Sequence, residues 1–322
     1  MKLITKKIVY LFFMLFIIAL ISFIAINLAP NSFFASGDLN PNITKESLDH
    51  LKEVYGLDKP LYIQFFSWIK NILCLDFGIS FSSGAYVKDE ILSRIPITLV
   101  INGISIFFIF LISLYLGIKA ALNQNKTIDK IVSQLSLLSF SLPSFYIALM
   151  GVLVFSVIFP ILPISGVHSS GLKEGSLNYY LDIAWHLILP ISIIIFGGIG
   201  TLTLYVRSLT IEILKSDYIF WAKARNLSDK QILRWYILPN LYPPIITLLG
   251  LSLPGIIGGS VILETIFGID GMGLLFFQSA LSHDYPVIMG ILIIGAFLTL
   301  LGNILADLVL LKLNPSSKSL SP

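Results

Sequence analysis

Residues 95–118 read IPITLVINGISIFFIFLISLYLGI, a run of 24 residues without one charged side chain, closed off by Arg94 and Lys119. An α-helix rises about 1.5 Å per residue, so the hydrocarbon core of a bilayer, about 30 Å thick, is crossed by about 20 apolar residues. A charge-free run of this length predicts a membrane-spanning helix. Working outward, five more such runs appear: Ile8–Leu28, a long run from Ile131 that must turn near Pro160–Pro163, Ile183–Val206, Trp235–Leu263 and Tyr285–Ala306. The whole chain of 322 residues agrees, being 56% hydrophobic and only 12% charged, against about 25% charged in a soluble domain. So few charges cannot coat a water-facing surface. The expectation is an all-α polytopic membrane protein with six transmembrane helices.

An even number of spans puts both termini on one side, and cytoplasmic loops carry the lysine and arginine excess. With the amino terminus inside, 14 of the 21 Lys and Arg residues lie on the cytoplasmic side and 13 of the 18 acidic residues on the outer side. Six of the seven outer basic residues fall in the segment 29–94, too long for its charge to decide orientation. Both termini are therefore expected in the cytoplasm. The first run, 21 residues long, exceeds the roughly 7–15 apolar residues of a cleaved signal peptide and lacks a small-residue cleavage site, so it is expected to remain as a span. The single cysteine, Cys74, excludes a disulfide framework and any multi-cysteine metal site.

The spans divide the chain into a first span with its cytoplasmic end (1–28), an outer-face segment (29–94), a five-helix core (95–315) and a short cytoplasmic tail (316–322). In the outer segment, Glu46–Tyr55 and Leu61–Leu73 have helical periodicity on either side of a turn at Gly56–Pro60. The cytoplasmic stretch 207–240 is polar and basic, yet it is patterned like two short helices. Ser216 stands where a cap for a helix over Asp217–Arg225 belongs, Asn226-Leu227 breaks that helix, and Ser228 with Gln231 forms a capping box that opens a second. In the second helix Ile232, Leu233, Tyr236 and Ile237 share one face, Asp229, Lys230 and Arg234 another, and Leu238-Pro239 ends it. Two readings of this pair stand open on its residues alone: it docks on a cytoplasmic partner, or it rests its apolar face on anionic lipid.

Asp217-Tyr218, Ala222-Lys223-Ala224-Arg225-Asn226-Leu227-Ser228 and Leu238-Pro239-Asn240 resemble the EAA loop of binding-protein-dependent ABC importer permeases. The likeness is to the divergent form in dipeptide, oligopeptide and nickel permeases, where the leading Glu-Ala is usually replaced, here by Phe220-Trp221. The family pattern has glycine where this chain has Asn226, a residue that also tolerates positive φ. The resemblance runs on in order through Asn27–Pro30, Tyr55–Pro60, Asp76–Ser80, Arg94–Leu99, Ser141–Phe145, Leu187–Pro190, Glu264–Phe267 and Asp284–Pro286.

That resemblance implies a bacterial inner-membrane permease for peptides, with nickel or another small solute as the alternative cargo. It implies a second homologous permease, two cytoplasmic ATPase subunits and an external substrate-binding protein as partners, besides the surrounding lipid. No nucleic acid is expected. It makes Asp217, Tyr218, Ala222, Ala224, Arg225, Asn226, Arg234, Leu238 and Pro239 the ATPase-coupling loop, with Ala222 and Ala224 as small residues at a close contact and Arg225 and Arg234 as charge partners. ATP would be held by the partner subunits, since the chain has no G-x-x-x-x-G-K-[ST] loop and needs no cofactor of its own.

Ionisable groups at membrane depth are functional candidates, which adds Glu264, Asn303 and Asp307 as possible pathway or gate residues. Glu264 reads equally as lining or as scaffold, whereas Asp307, four residues after Asn303, reads more readily as a structural hydrogen bond near a helix end than as a functional group. A self-sufficient secondary transporter would carry acids near the midplane for its coupling ions, and the spans have almost none. An intramembrane hydrolase would need a nucleophile with a base, and the serine-rich stretch Ser133–Ser144 has no histidine near it in sequence.

Overall fold

A computed structural model describes residues 2–28 and 59–313. The expected helix Glu46–Tyr55, most of the outer segment and the tail 316–322 lie outside the described residues. The described chain is helical, and its one β contact is an isolated antiparallel bridge between Ile79 and Tyr86. In order come α1 (Lys2–Leu28), α2 (Leu61–Leu73), α3 (Val87–Leu122), α4 (Thr127–Ser141), α5 (Ser144–Val152) with a π-helical turn at Leu153–Ile158, and α6 (Leu177–Leu214). Then follow α7 (Asp217–Ala224), α8 (Asp229–Ile232) with a π-helical turn at Leu233–Ile237, α9 (Leu238–Gly258), α10 (Val261–Phe267), α11 (Met272–Leu281) and α12 (Tyr285–Leu313).

Among the described residues three helices are long and apolar enough to cross a membrane, α3, α6 and α12 over Tyr285–Val309, or up to five if each broken pair counts as one span. Helix α1 contributes a shorter apolar stretch, Val9–Ile24. Large apolar side chains on α3 face outward, with Phe107 62%, Leu111 53% and Tyr115 61% exposed. Such a surface is stable against lipid, and in a helix every backbone polar group is satisfied internally.

The structure amends the expected boundaries in three places, each for a local reason. Helix α3 starts at Val87 rather than Ile95, because Asp89 and Glu90 sit in its first turn, where carboxylates complement the exposed amides and the helix dipole. The boundary expected at residue 94 thus falls inside a helix. The run from Ile131 leaves its helix after Ile158, near the expected turn, but it also breaks earlier. Leu142 precedes Pro143, which drives it into an extended conformation (φ −85°, ψ 130°) and sets the flanking helical segments 95° apart. The run Trp235–Leu263 likewise ends early, since Gly259 adopts φ 64° and ψ −177°, a region open essentially to glycine alone. Pro190, by contrast, lies inside α6 without dividing it.

The chain forms two compact units, one of residues 1–97 with 270–301 and one of 98–269 with 302–322. In the first, Ala19 and Phe23 of α1, Phe65 of α2, and Met289 and Ile293 of α12 share a core, with Phe65 edge-on to both Phe16 and Phe23. A second core joins Val87 and Ile91 of α3 to Met272 and Leu275 of α11 and to Val287 and Ile291 of α12.

In the second unit α6 is the central element. A Cβ added at Gly200 of α6 would lie 2.3 Å from the Ser136 carbonyl of α4, and one added at Gly117 of α3 would lie 2.7 Å from the Val206 side chain of α6. Small residues thus let three backbones approach closely, as is usual where helices pack in lipid. Ser139 Oγ of α4 donates to the Phe196 carbonyl of α6, and Ser113 Oγ of α3 donates to the Ile199 carbonyl at 3.2 Å.

Candidate coupling site

The end of α6 leads directly into α7. Ser216 occupies the N-cap position of α7, but its hydroxyl donates back to the Ile213 carbonyl of α6 and caps no α7 amide. A serine hydroxyl can serve either side of a junction, and here it joins its own N–H on the carbonyl of the preceding turn. Helix α7 ends in a Schellman motif. Asn226 adopts φ 56°, its N–H donates to the Lys223 carbonyl at 2.9 Å, and the Leu227 N–H donates to the Ala222 carbonyl at 3.3 Å. The expected capping box then opens α8: the Ser228 N–H donates to Gln231 Oε1 at 2.8 Å, and the Gln231 N–H donates to Ser228 Oγ at 3.4 Å.

Both short helices turn an apolar face inward. Ile219 and Ala222 of α7 join Ile232, Ile237, Leu241 and, from α3 and α6, Ile118, Val206 and Ile213 in one core, with Leu227, Leu233 and Tyr236 packed against it. Burying one such isoleucine contributes about 1.5–3 kcal/mol relative to leaving it exposed. A pair of helices this short could not persist alone, so this core is what gives them a fixed shape.

The burial corrects one expectation. Ala222 is 1% exposed and meets its own subunit, whereas Ala224 is exposed. Two alanines separated by two positions project about 200° apart around a helix of 3.6 residues per turn, so they cannot both face one partner. Ala222 seats the helix, and Ala224 belongs to the surface. That surface also presents Asp217, Tyr218, Phe220, Trp221, Arg225 and Asn226 from α7 and its end. Beyond α8 it continues through Arg234, Trp235 and Pro239. Phe220 and Trp221 are 66% and 65% exposed. The Tyr218 and Tyr236 rings stack across the two segments with centroids 6.2 Å apart.

The helix also does not end at Leu238-Pro239. Its backbone widens into the π-helical turn Leu233–Ile237 and restarts as α9, with proline in the first turn, where an intrahelical donor is not required. Leu238 is half-buried against the core just described. Asn240 Nδ2 donates to the Tyr236 carbonyl at 2.6 Å and so occupies an acceptor in the widened turn.

The remaining sequence candidates lie elsewhere. Glu264 is a buried residue of α10, 5% exposed, whose backbone carbonyl accepts from the Ile269 N–H at 2.9 Å. Asn303 is half-buried and Asp307 exposed on α12. Sequence reasoning missed Asp129 and Arg207, which it counted only as cytoplasmic charges. The Arg207 guanidinium of α6 grips the Asp129 carboxylate of α4 through both Nε and Nη2, the latter at 2.8 Å from Oδ2. Each stands just outside an apolar run, and that shared position at the ends of two spans was the available signal.

A family model described as binding-protein-dependent transport system inner membrane component matches residues 109–319, and one for the N-terminal part of such components matches residues 1–102. The chain belongs to that family. It is 33% identical to the oligopeptide transport system permease protein AppB of Bacillus subtilis, covering 92% of this chain and 93% of that protein. It is also 33% identical to the oligopeptide permease OppB of Haemophilus influenzae and 31% identical to the dipeptide permease DppB of Lactococcus lactis, in both cases over 98% of each chain. Family membership makes the chain a multi-pass permease component of an ABC transporter and not an enzyme. Its system includes an ATPase and a substrate-binding protein.

Proposed function

We propose that this permease forms part of the transmembrane pathway of a bacterial peptide importer and that the outward surface of α7 and α8 receives the push of a cytoplasmic ATPase. The single observation that carries the coupling role is the seating of that pair. Ile219, Ala222, Ile232 and Ile237 are all buried against the end of α6, while Tyr218, Phe220, Trp221, Ala224, Arg225 and Arg234 stay exposed. A rigidly seated helix delivers a rigid-body displacement to the span it continues, which a flexible loop cannot do. Arg225 and Arg234 suit an acidic rim on the partner, and the exposed aromatic pair suits an apolar pocket, since aromatic and arginine anchors dominate protein contacts.

In this reading the chain crosses the membrane six times with both termini in the cytoplasm. It pairs with a second homologous permease over two ATPase subunits, and an external binding protein delivers the cargo. The names of the relatives, oligopeptide and dipeptide permeases, support peptides as that cargo. Asp217, Asn226, Leu238 and Pro239 shape the coupling loop rather than touch cargo, and Glu264, Asn303 and Asp307 are candidates for the pathway.

The test uses the full transporter with Cys74 replaced by serine. Ala224→Cys should cross-link to the ATPase subunit through a short bifunctional reagent, and peptide delivered by the binding protein should stimulate ATP hydrolysis. The exposed Phe220 and Trp221 beside Lys223 also suit a headgroup layer. If Ala224→Cys instead reacts only with a lipid-borne reagent and never with the ATPase, the pair rests on the membrane and the coupling role is lost.

A further inference from the structure

The coupling surface ends at α6, but the broken pair α4 and α5 packs against α6 in the same unit and has no covalent link to α7 shorter than the whole of α6. We propose that the Asp129–Arg207 pair is a transmission latch: it fastens α4 to the end of α6 so that displacement of the coupling helices moves both together. This rests on the coupling role proposed above and goes beyond it in naming how the push leaves α6.

Four observations converge on it. Asp129 is 3% exposed, at the start of α4, and Arg207 lies less than two turns before Ile213, which shares a core with Ile219 and Ala222 of α7. Both carboxylate oxygens are engaged by the guanidinium, a fork geometry that resists rotation as well as separation. The carboxylate is also held from its own side. The Asn125 N–H donates to Oδ2 at 2.8 Å from a residue in the left-handed region (φ 66°), and Ser133 Oγ donates to Oδ1 at 3.4 Å. The connection between α3 and α4 is thus bent around the pair. Further along the same two helices, Gly200 allows α4 to within contact of α6, and Ser139 bonds the Phe196 carbonyl.

The two helices are therefore joined at two levels, and only the level next to the coupling loop is ionic. Close backbone contact at Gly200, with one neutral hydrogen bond from Ser139, holds the helices side by side, whereas a bidentate ion pair adds a directional hold on their register. A buried or half-buried pair in this position is weak evidence for stability, since its desolvation cost offsets its attraction. Register is what it supplies. Beyond the Pro143 break, α5 turns 95° from α4, so a displacement of α4 along its axis becomes a sideways motion of α5. The positioning residues for transport are then Asp129 and Arg207, neither of which touches cargo or ATP.

The experiment is reconstitution of the full transporter with its binding protein and peptide, measuring ATP hydrolysed per peptide imported. Asp129→Asn and Arg207→Gln should each leave ATP hydrolysis and the Ala224→Cys cross-link to the ATPase in place while raising the ATP cost per peptide on the order of tenfold, a common size for coupling between sites. The double variant should be no worse than either single one, because the latch is lost once. Arg207→Lys keeps the charge without the fork and should recover only part of the coupling. A purely structural pair gives a different pattern: abundance, hydrolysis and import fall together and the ratio stays at the wild-type value, which overturns the latch. Additive effects of the two substitutions overturn it as well. An absent cross-link in the otherwise wild-type transporter refutes the coupling surface instead, so the two failures are distinguishable.

Discussion

The loop that carries α7 and α8 and the loop 76–86 that leads into α3 are both fixed to their helices by burial, but with opposite chemistry. The first buries only apolar groups, Ile219, Ala222, Ile232 and Ile237, and closes its polar ends by hydrogen bonds within a few residues. The second buries polar groups. Asp284 is 0% and Ser80 2% exposed. One carboxylate oxygen of Asp284 accepts from Ser80 Oγ at 2.6 Å, from the Ser82 N–H at 3.0 Å and from Ser82 Oγ at 2.8 Å. A loop with an apolar seat withstands changes to its surface and fails when charge enters the seat. A loop with a polar seat fails when its acceptor is removed.

The largest effect should come from charging the apolar seat. Ala222→Asp places a carboxylate without a partner where 1% of the residue is exposed, at a cost of about 3–5 kcal/mol, the scale of an uncompensated buried charge. Ala224→Asp, two residues on and exposed, should alter stability by no more than about 0.5 kcal/mol. Abundance in the membrane and thermal denaturation of the solubilised transporter read both. Equal behaviour of the two variants would break the comparison, because it would mean that Ala222 has no seat to lose. The same burial makes Ala222→Asp a poor probe of docking, and directs such probes to Trp221, Ala224 and Arg225.

Removing the acceptor of the polar seat should come next. Asp284→Ala strands the donor of the buried Ser80, at a cost of about 1–3 kcal/mol, whereas the exposed Ser82 can turn its donors to water. Asp284→Asn keeps an oxygen that can accept from them and should retain more of the stability. Increased proteolysis of the loop 76–86 in Asp284→Ala, with the α7–α8 loop unchanged, is the expected readout. Simultaneous opening of both loops would show that the two seats are not independent.

The same contrast explains what could be read from sequence. Ser228 with Gln231 and the apolar set Ile232, Leu233, Tyr236 and Ile237 were legible because capping and helical periodicity act over three or four residues. The charge-free runs were legible because a bilayer imposes length on sequence directly. Ala222 was placed on the wrong side of its helix, since a small side chain signals close approach without saying to which neighbour. Ser216 looked like a cap until a carbonyl of the preceding turn competed for its hydroxyl. Asp129 and Arg207, 78 positions apart, and Ser80 and Asp284, 204 apart, carry no local mark of their pairing. The break at Pro143 was visible as a proline, but its 95° size depends on packing that sequence does not show.

A smaller change sharpens the account of the apolar loop by touching one polar closure only. Ser228→Ala deletes the side-chain acceptor for the Gln231 N–H and leaves the buried face intact. The cost should be near ~1 kcal/mol, the usual value for a lost N-cap. Hydrogen exchange at the amides of 229–231 should quicken by about the matching factor of five, while the amides of α6 stay protected. Loss of protection in α6 would mean that the cap, not the apolar seat, holds the helix pair.

The smallest expected effect lies at the turn between the two helices. Asn226 holds φ 56°, a left-handed conformation that costs most L-residues roughly 1–2 kcal/mol and costs glycine nothing. Its backbone N–H is bonded to the Lys223 carbonyl and the next N–H to the Ala222 carbonyl, so both hydrogen bonds of the Schellman motif survive a change of side chain. Because the residue is exposed, its side chain also has no core contact to lose. Asn226→Gly should therefore be neutral or stabilising by a few tenths of a kcal/mol, roughly what separates asparagine from glycine once the greater freedom of glycine in the unfolded chain is counted. Asn226→Val, β-branched and intolerant of positive φ, should destabilise by about 1–2 kcal/mol. Thermal denaturation of the two variants side by side measures the difference. If valine were as well tolerated as glycine, the turn would not be held in the left-handed region, and the rigid link between α7 and α8 on which the coupling role depends would be lost.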